Sequence, residues 1–200
     1  MKKKTVLFFF GLFFLFSQVC LAEAPKAIAG ISLSGNIGDY TDRILEKSAL
    51  PIRYQKYLTE VELKPPEGYK SGLLTYGSCS DPGRIVRIKL KYADSSRSFY
   101  DQLLKRFKKR FGEPDEWRGD PFHVVMAWKW SFRDRDGNPL SMILQHNTLD
   151  EEEKRGNAVK INMTGLILKE QLCFEKKHAE KPNPRKTEPG RIDWERLVPR

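Results

Sequence analysis

The chain has 200 residues and carries 36 Lys and Arg against 26 Asp and Glu, a formal net charge of +10 at pH 7. Lys2, Lys3 and Lys4 supply three of those positive charges, so from residue 23 onward the net charge is +7, a mild pull toward anionic surfaces. No segment after residue 16 is apolar enough to span a bilayer as a helix, and residues 23–200 are enough for one domain with a core.

The first element is an export signal. Met1 and three lysines precede an apolar block, residues 6–16, and Cys20, Leu21 and Ala22 form a small-residue exit. A charged start, an apolar middle and a small-residue cleavage site are the three parts of a secretory signal. Cleavage is expected after Ala22, placing the working protein outside the cytoplasm, in the periplasm. An uncleaved anchor and a lipoprotein acylated at Cys20 are the alternatives. The block is shorter than a span of about 20 residues, and Val19 is bulky where a lipoprotein signal has a small residue.

Residues 28–33 read as a short strand and residues 40–50 as a short helix stopped by Pro51. Residues 57–63 alternate in apolar character and predict a strand. The cluster Pro65-Pro66-Glu67-Gly68 predicts a turn, and residues 71–76 a further strand. Residues 84–92 are clearer. Val86, Ile88, Leu90 and Tyr92 alternate with Arg87, Lys89 and Lys91, so one face turns to a core and the other carries three positive charges.

The strongest helix pattern covers residues 96–111, with Phe99, Leu103, Phe107 and Phe111 four apart. Ser98 or the Asp94-Ser95 pair is expected to cap its start, Gly112 to cap its end, and Pro114 to stop it. Its polar side holds Lys105, Arg106, Lys108, Lys109 and Arg110, which the helix dipole favours near a C-terminus without any ligand. Residues 123–133 and 140–146 read as a hairpin about residues 134–138, and residues 158–164 as another strand. Residues 166–177 read as a closing helix, with a strand as the alternative. Residues 150–156 read as a charged loop, and the Pro-punctuated, charged residues 181–200 as a disordered tail. No internal repeat is evident. The fold class is α+β: an antiparallel meander sheet with one long amphipathic helix packed on one face, within a single domain over residues 23–180.

After signal removal two cysteines remain, Cys79 and Cys173. In an oxidising compartment a lone pair is most simply a disulfide. Neither lies in a metal-ligand spacing, and no metal or cofactor is expected. Trp128 and Trp130 share a strand face with Met126 and Phe132 and belong to the core. Trp117 with Arg118 sits in a loop and is a candidate contact for a sugar or peptide. His123 and His146, at one end of the predicted hairpin, are a candidate acid–base pair, but no nucleophile elbow, phosphate loop or dinucleotide fingerprint is present.

The strand, the helix closing in Arg110-Phe111-Gly112-Glu113-Pro114, and the tryptophan-bearing hairpin together cover residues 84–164. In this phrase the chain resembles small uncharacterised exported proteins of Gram-negative bacteria. The resemblance is architectural and implies no activity; some envelope assembly factors have similarly small α+β domains, which favours an interaction role by analogy. The expectation is a non-enzymatic envelope protein that binds a protein partner, anionic lipid or polysaccharide, rather than nucleic acid. The basic residues Arg87, Lys89, Lys91, Lys105, Lys108 and Lys109 are its candidate contacts. The alternative is a periplasmic hydrolase whose residues meet only in three dimensions.

Overall fold

A computed structural model describes residues 24–148 and 156–179. The expected signal segment 1–22, the acidic run 150–153 and the expected tail 181–200 lie outside the described residues. The chain opens with a two-stranded hairpin, β1 (Ala27–Ile28) and β2 (Ile31–Ser32). Two short 3-10 helices follow, Ile37–Arg43 and Glu46–Ser48, where one short α-helix was expected. Asn36 starts the first by accepting the Gly38 N–H on its side-chain oxygen.

Eight strands then form one antiparallel sheet in two meanders. The first runs β3 (Leu50–Ile52), β4 (Gln55–Leu63), β5 (Tyr69–Gly77) and β6 (Ile85–Tyr92). The second runs β7 (Glu116–Trp117), β8 (Val125–Arg133), β9 (Pro139–Asn147) and β10 (Gly156–Asn162). The spatial order is β3-β4-β5-β6-β10-β9-β8-β7, so the last strand of each meander meets the other at the centre. Each meander is followed by a helix: α1 (Arg97–Phe111) after β6 and α2 (Thr164–Ala179) after β10. Among the described residues the expected long helix is thus matched in length by the expected closing helix, at 15 and 16 residues. The architecture repeats, although the sequence shows no repeat. A four-strand-plus-helix unit can be specified by different apolar patterns, and only backbone pairing reveals the equivalence.

Local chemistry explains the elements. In β6, Ile88, Leu90 and Tyr92 are buried, as alternation requires. Their partners across the central pairing are apolar too: Ile161 faces Ile88 and Val159 faces Leu90. The register between β5 and β6 slips near Thr75 and Tyr76, and both Ile85 and Val86 are buried there, which strict alternation did not predict.

α1 is capped by Ser96, whose hydroxyl accepts the Phe99 N–H; the cap is neither Ser98 nor the Asp94-Ser95 pair. Asp94 instead accepts the N–H of Ser96 on its side chain. Gly112 ends the helix at φ 81°, a conformation that favours glycine. The aromatic stripe of α1 meets rings of the sheet: Phe99 against Tyr92, Phe107 against Trp130, Phe111 against Phe132.

Asn157, buried at the start of β10, ties α1 to the sheet. Its amide donates to the Asp94 and Ser96 carbonyls, and its oxygen lies 2.7 Å from Nδ1 of buried His146. Beside His146 lies Tyr100, whose buried hydroxyl has no hydrogen-bond partner among the described residues. Burial pushes its pKa up to about 12. Tyr100→Phe therefore removes a desolvated group without removing a hydrogen bond and is expected to raise stability at pH 7 by about 1 kcal/mol. Because the folded-state pKa lies above the unfolded value, this tyrosine draws stability down as the pH rises from about 10 through its folded pKa. The phenylalanine variant should lose that part of the alkaline decline. Urea denaturation at both pH values measures this, and a destabilised variant at pH 7 would reveal a hydroxyl partner.

Candidate functional site

Cross-strand neighbours in a sheet project from the same face. The pairing registers therefore define rows of side chains running across the strands. One row is Glu62, Leu73, Lys89, Lys160, Ile143, Lys129 and Glu116. The next is Glu60, Thr75, Arg87, Asn162, Ser141 and Ser131. The first row ends in a carboxylate on each side, Glu62 and Glu116, the second in Glu60 on one side, and both hold cations at the centre. Lys89 directly opposes Lys160 across the central β6–β10 pairing.

Like charges directly opposite in a ladder are destabilising. Lys89 is exposed, whereas Arg87, Lys91 and Lys160 are half-buried. Burial lowers the pKa of Lys160, and the charges of Arg87, Lys89 and Arg118 lower it further. Burial also lowers that of Arg87, partly offset by Glu60, and its Nε donates to Asn162 at 2.9 Å. At the far edge, Glu116 takes ion pairs from Arg118 at 2.6 Å and Lys129 at 3.1 Å. The hydrogen bond from Arg118, and then that from Lys129, holds the Glu116 carboxyl below its ordinary range. The edge cations are thus neutralised locally, while Lys89 and Lys160 face each other.

The structure sorts the candidates read from the sequence. Arg87, Lys89 and Lys91 lie on one strand, and Arg118 acts on the same cluster through Lys160. Lys160 was not among the candidates, because its place opposite Lys89 depends on a pairing between strands 71 residues apart at that position. Lys105 and Lys109 are exposed on α1. Lys108 pairs with Glu113 at 2.6 Å and stands over the Trp128 ring, 5.9 Å from its centre.

Trp117 lies in strand β7, not in a loop, with its ring 4.7 Å from that of Trp128 and 5.7 Å from that of His123. A Cβ on Gly119 would sit 2.2 Å from the Trp117 indole, so the glycine lets the ring fold back. His123 takes φ 59°, which costs a non-glycine residue energy, in a turn where the Asp120 carboxylate accepts the N–H groups of Phe122 and Val125. His123 and His146 lie toward the same end of the β8–β9 hairpin in different surroundings. One stands against Trp117, and the other is buried against Asn157 and Tyr100. Among the described residues no three His, Cys, Asp or Glu side chains gather as a metal site.

The expected disulfide is present. Cys79 and Cys173 have α-carbons 5.9 Å apart and close a loop of sequence separation 94. Beside it is a contact the sequence did not indicate. Glu170 on α2, one turn before Cys173, is 2% exposed. Its carboxylate accepts four consecutive backbone N–H groups, those of Ser78, Cys79, Ser80 and Asp81, at 2.7–3.1 Å. Gly77 makes room: a Cβ there would lie 2.5 Å from the Glu170 carboxylate. Successive amides converging on one anion form a nest, here filled by the chain's own side chain.

Compared with known protein families, curated proteins and solved structures, the chain matches none.

Two outcomes follow from these contacts. Glu170→Gln keeps the shape but turns an amide N–H toward the loop donors, and is expected to cost about 3 kcal/mol. Cys79→Ser with Cys173→Ser should cost about 4 kcal/mol by the chain-entropy account. Both act on the same anchor, so their costs should not add. Urea midpoints of the single and combined variants decide it, and an unchanged midpoint for Glu170→Gln would mean that water serves the loop amides equally well.

Lys160→Gln, by contrast, should stabilise by about 0.5 kcal/mol at low ionic strength, with the gain shrinking in salt. The folded Lys160 pKa lies below the unfolded value, so the unfolded chain binds more protons as the pH nears 10.5. Stability from this group therefore rises with pH in that window. The glutamine variant should lose the rise, and melting curves at neutral and alkaline pH test the sign.

Proposed function

We propose that this is an exported, non-enzymatic envelope protein that binds an extended anionic partner through the central face of its sheet. The observation that carries the reading is the Lys89–Lys160 opposition, with Arg87 in the adjacent row and carboxylates kept to the edges. Two cations held opposite each other cost stability in the free protein, and an anion between them removes that cost. On this reading α1 covers the opposite, apolar face, so its lysines form a separate patch.

A row of charges spread over several strands suits a surface or polymer better than a small ligand enclosed in a cleft. Export is supported by the Cys79–Cys173 disulfide, which persists in an oxidising compartment. Among the described residues no helix is long and apolar enough to cross a membrane. The resemblance of residues 84–164 to small exported proteins points the same way.

Vesicles containing phosphatidylglycerol provide the test. The protein should bind them in preference to neutral vesicles, and binding should fall steeply toward about 0.5 M salt, where screening acts over only a few ångströms. Lys89→Glu with Lys160→Glu should abolish binding. Lys105→Glu with Lys109→Glu should leave most of it, since those residues lie on the other patch. Equal binding to neutral vesicles, or full binding by the Lys89/Lys160 variant, would defeat the proposal.

A further inference from the structure

Three cations of the basic face form a triangle about the central strand pair. Lys89 opposes Lys160 across the β6–β10 pairing, and Arg87 lies two residues before Lys89 on the same side of β6. By sheet geometry the points of attachment are about 5 Å apart across the strands and about 7 Å apart along β6. Side chains as long as these can converge on one group between them. The charges of Arg87 and Lys89 both act on Lys160.

Arg87 is held in one orientation. Its Nε donates to Asn162 Oδ1 at 2.9 Å, and the Asn162 amide donates to Ser141 Oγ at 3.2 Å. Asn162 and Ser141 are both buried, so the bonds that set the guanidinium plane belong to the body of the sheet. With Nε committed to Asn162, the two Nη nitrogens form a planar fork that matches a pair of oxygens on one anion. Lys89 is exposed and Arg87 and Lys160 are half-buried, so all three remain within reach of a ligand.

Charge sets the class of ligand. The three cations are offset by Glu60, which acts on Arg87, and the surplus matches a dianion. A phosphomonoester carries about −1.5 to −2 at pH 7 and presents three acceptor oxygens, whereas a phosphodiester carries a single charge. Leu73 beside Lys89 and Ile143 beside Lys160 continue the row on either side, both half-buried. Apolar neighbours there suit a headgroup carried on a lipid better than a free, fully hydrated ester.

We infer that the triangle of Arg87, Lys89 and Lys160 binds the phosphomonoester headgroup of a lipid, and that the Arg87 fork selects it over a phosphodiester. This selectivity rests on the proposed anionic face and narrows it to one chemistry.

The test uses the exported protein and phosphatidylcholine vesicles containing either phosphatidic acid or phosphatidylglycerol, mixed to equal surface charge. Co-sedimentation should show about tenfold tighter binding to the phosphatidic acid vesicles, where the third oxygen accepts a further charge-assisted hydrogen bond. Arg87→Lys keeps the charge and loses the fork. It should bring the ratio between the two vesicles to about one, with a smaller loss on phosphatidylglycerol. Lys89→Gln, at an exposed position, should also lower the ratio, so the outcome does not depend on the Arg87 variant folding.

Equal binding of the unaltered protein to both vesicles, or a ratio unchanged in either variant, would overturn the inference and leave the anionic face standing. Binding to neither vesicle would overturn both. Displacement from phosphatidic acid by millimolar sn-glycerol 3-phosphate, beyond that by sodium chloride of the same ionic strength, would support headgroup recognition. Micromolar binding of glycerol 3-phosphate without vesicles would overturn the lipid assignment.

Discussion

The antiparallel pairing of β6 with β10 holds the rest of the molecule in place. Each strand ends a four-stranded meander, and each is followed by a helix. Their union turns two units, each with an unpaired edge, into one eight-stranded sheet whose centre has no free edge. It sets Ile88 against Ile161 and Leu90 against Val159 on one face, and Lys89 against Lys160 on the other. The apolar pairs drive the contact, because burying aliphatic surface on both sides of a strand pair outweighs one cross-strand repulsion of about 1 kcal/mol or less. The repulsion between the lysines is a consequence of a register chosen by the core.

Polar contacts then secure the two helices at opposite ends of that pairing. At the Gly156 end of β10, the Asn157 amide holds the carbonyls that precede and begin α1. At the Asn162 end, the chain turns into α2, with the Met163 N–H donating to the Val86 carbonyl at 2.8 Å. Further along α2, Glu170 and Cys173 clamp the loop between β5 and β6. A buried carboxylate would be costly alone; four backbone donors from one loop offset its desolvation. Gly77 is required for that approach by contact rather than by backbone angle.

The proposed binding face and the core are the two sides of the same strand pair. Alternation along β6 and β10 places Lys89 and Lys160 on one face and the buried Ile88, Leu90, Val159 and Ile161 on the other. The aromatic cluster of Trp117, Trp128 and His123 has a structural account: Gly119 admits the Trp117 ring, which packs back against its strand partner.

Sequence alone determined what depends on near neighbours. The period of two in β6 and β8 and the period near four in α1 follow from how side chains project from each backbone form, and these elements lie where the pattern put them. Gly112 as a helix end and residues 134–138 as a hairpin turn follow from local conformational preference. The cysteine pairing was legible because two candidates remain once the expected signal segment with Cys20 is set aside. Tertiary structure decided everything that depends on which strands meet. Lys160 joined Lys89, and Glu170 entered the amide loop. These contacts span tens of residues, and a chain read through local periodicity holds no record of which distant strand will satisfy its backbone hydrogen bonds. For the same reason the repeated four-strand-plus-helix arrangement is invisible in the residues: it is a relation between pairings, and pairing is settled only when the whole sheet is assembled.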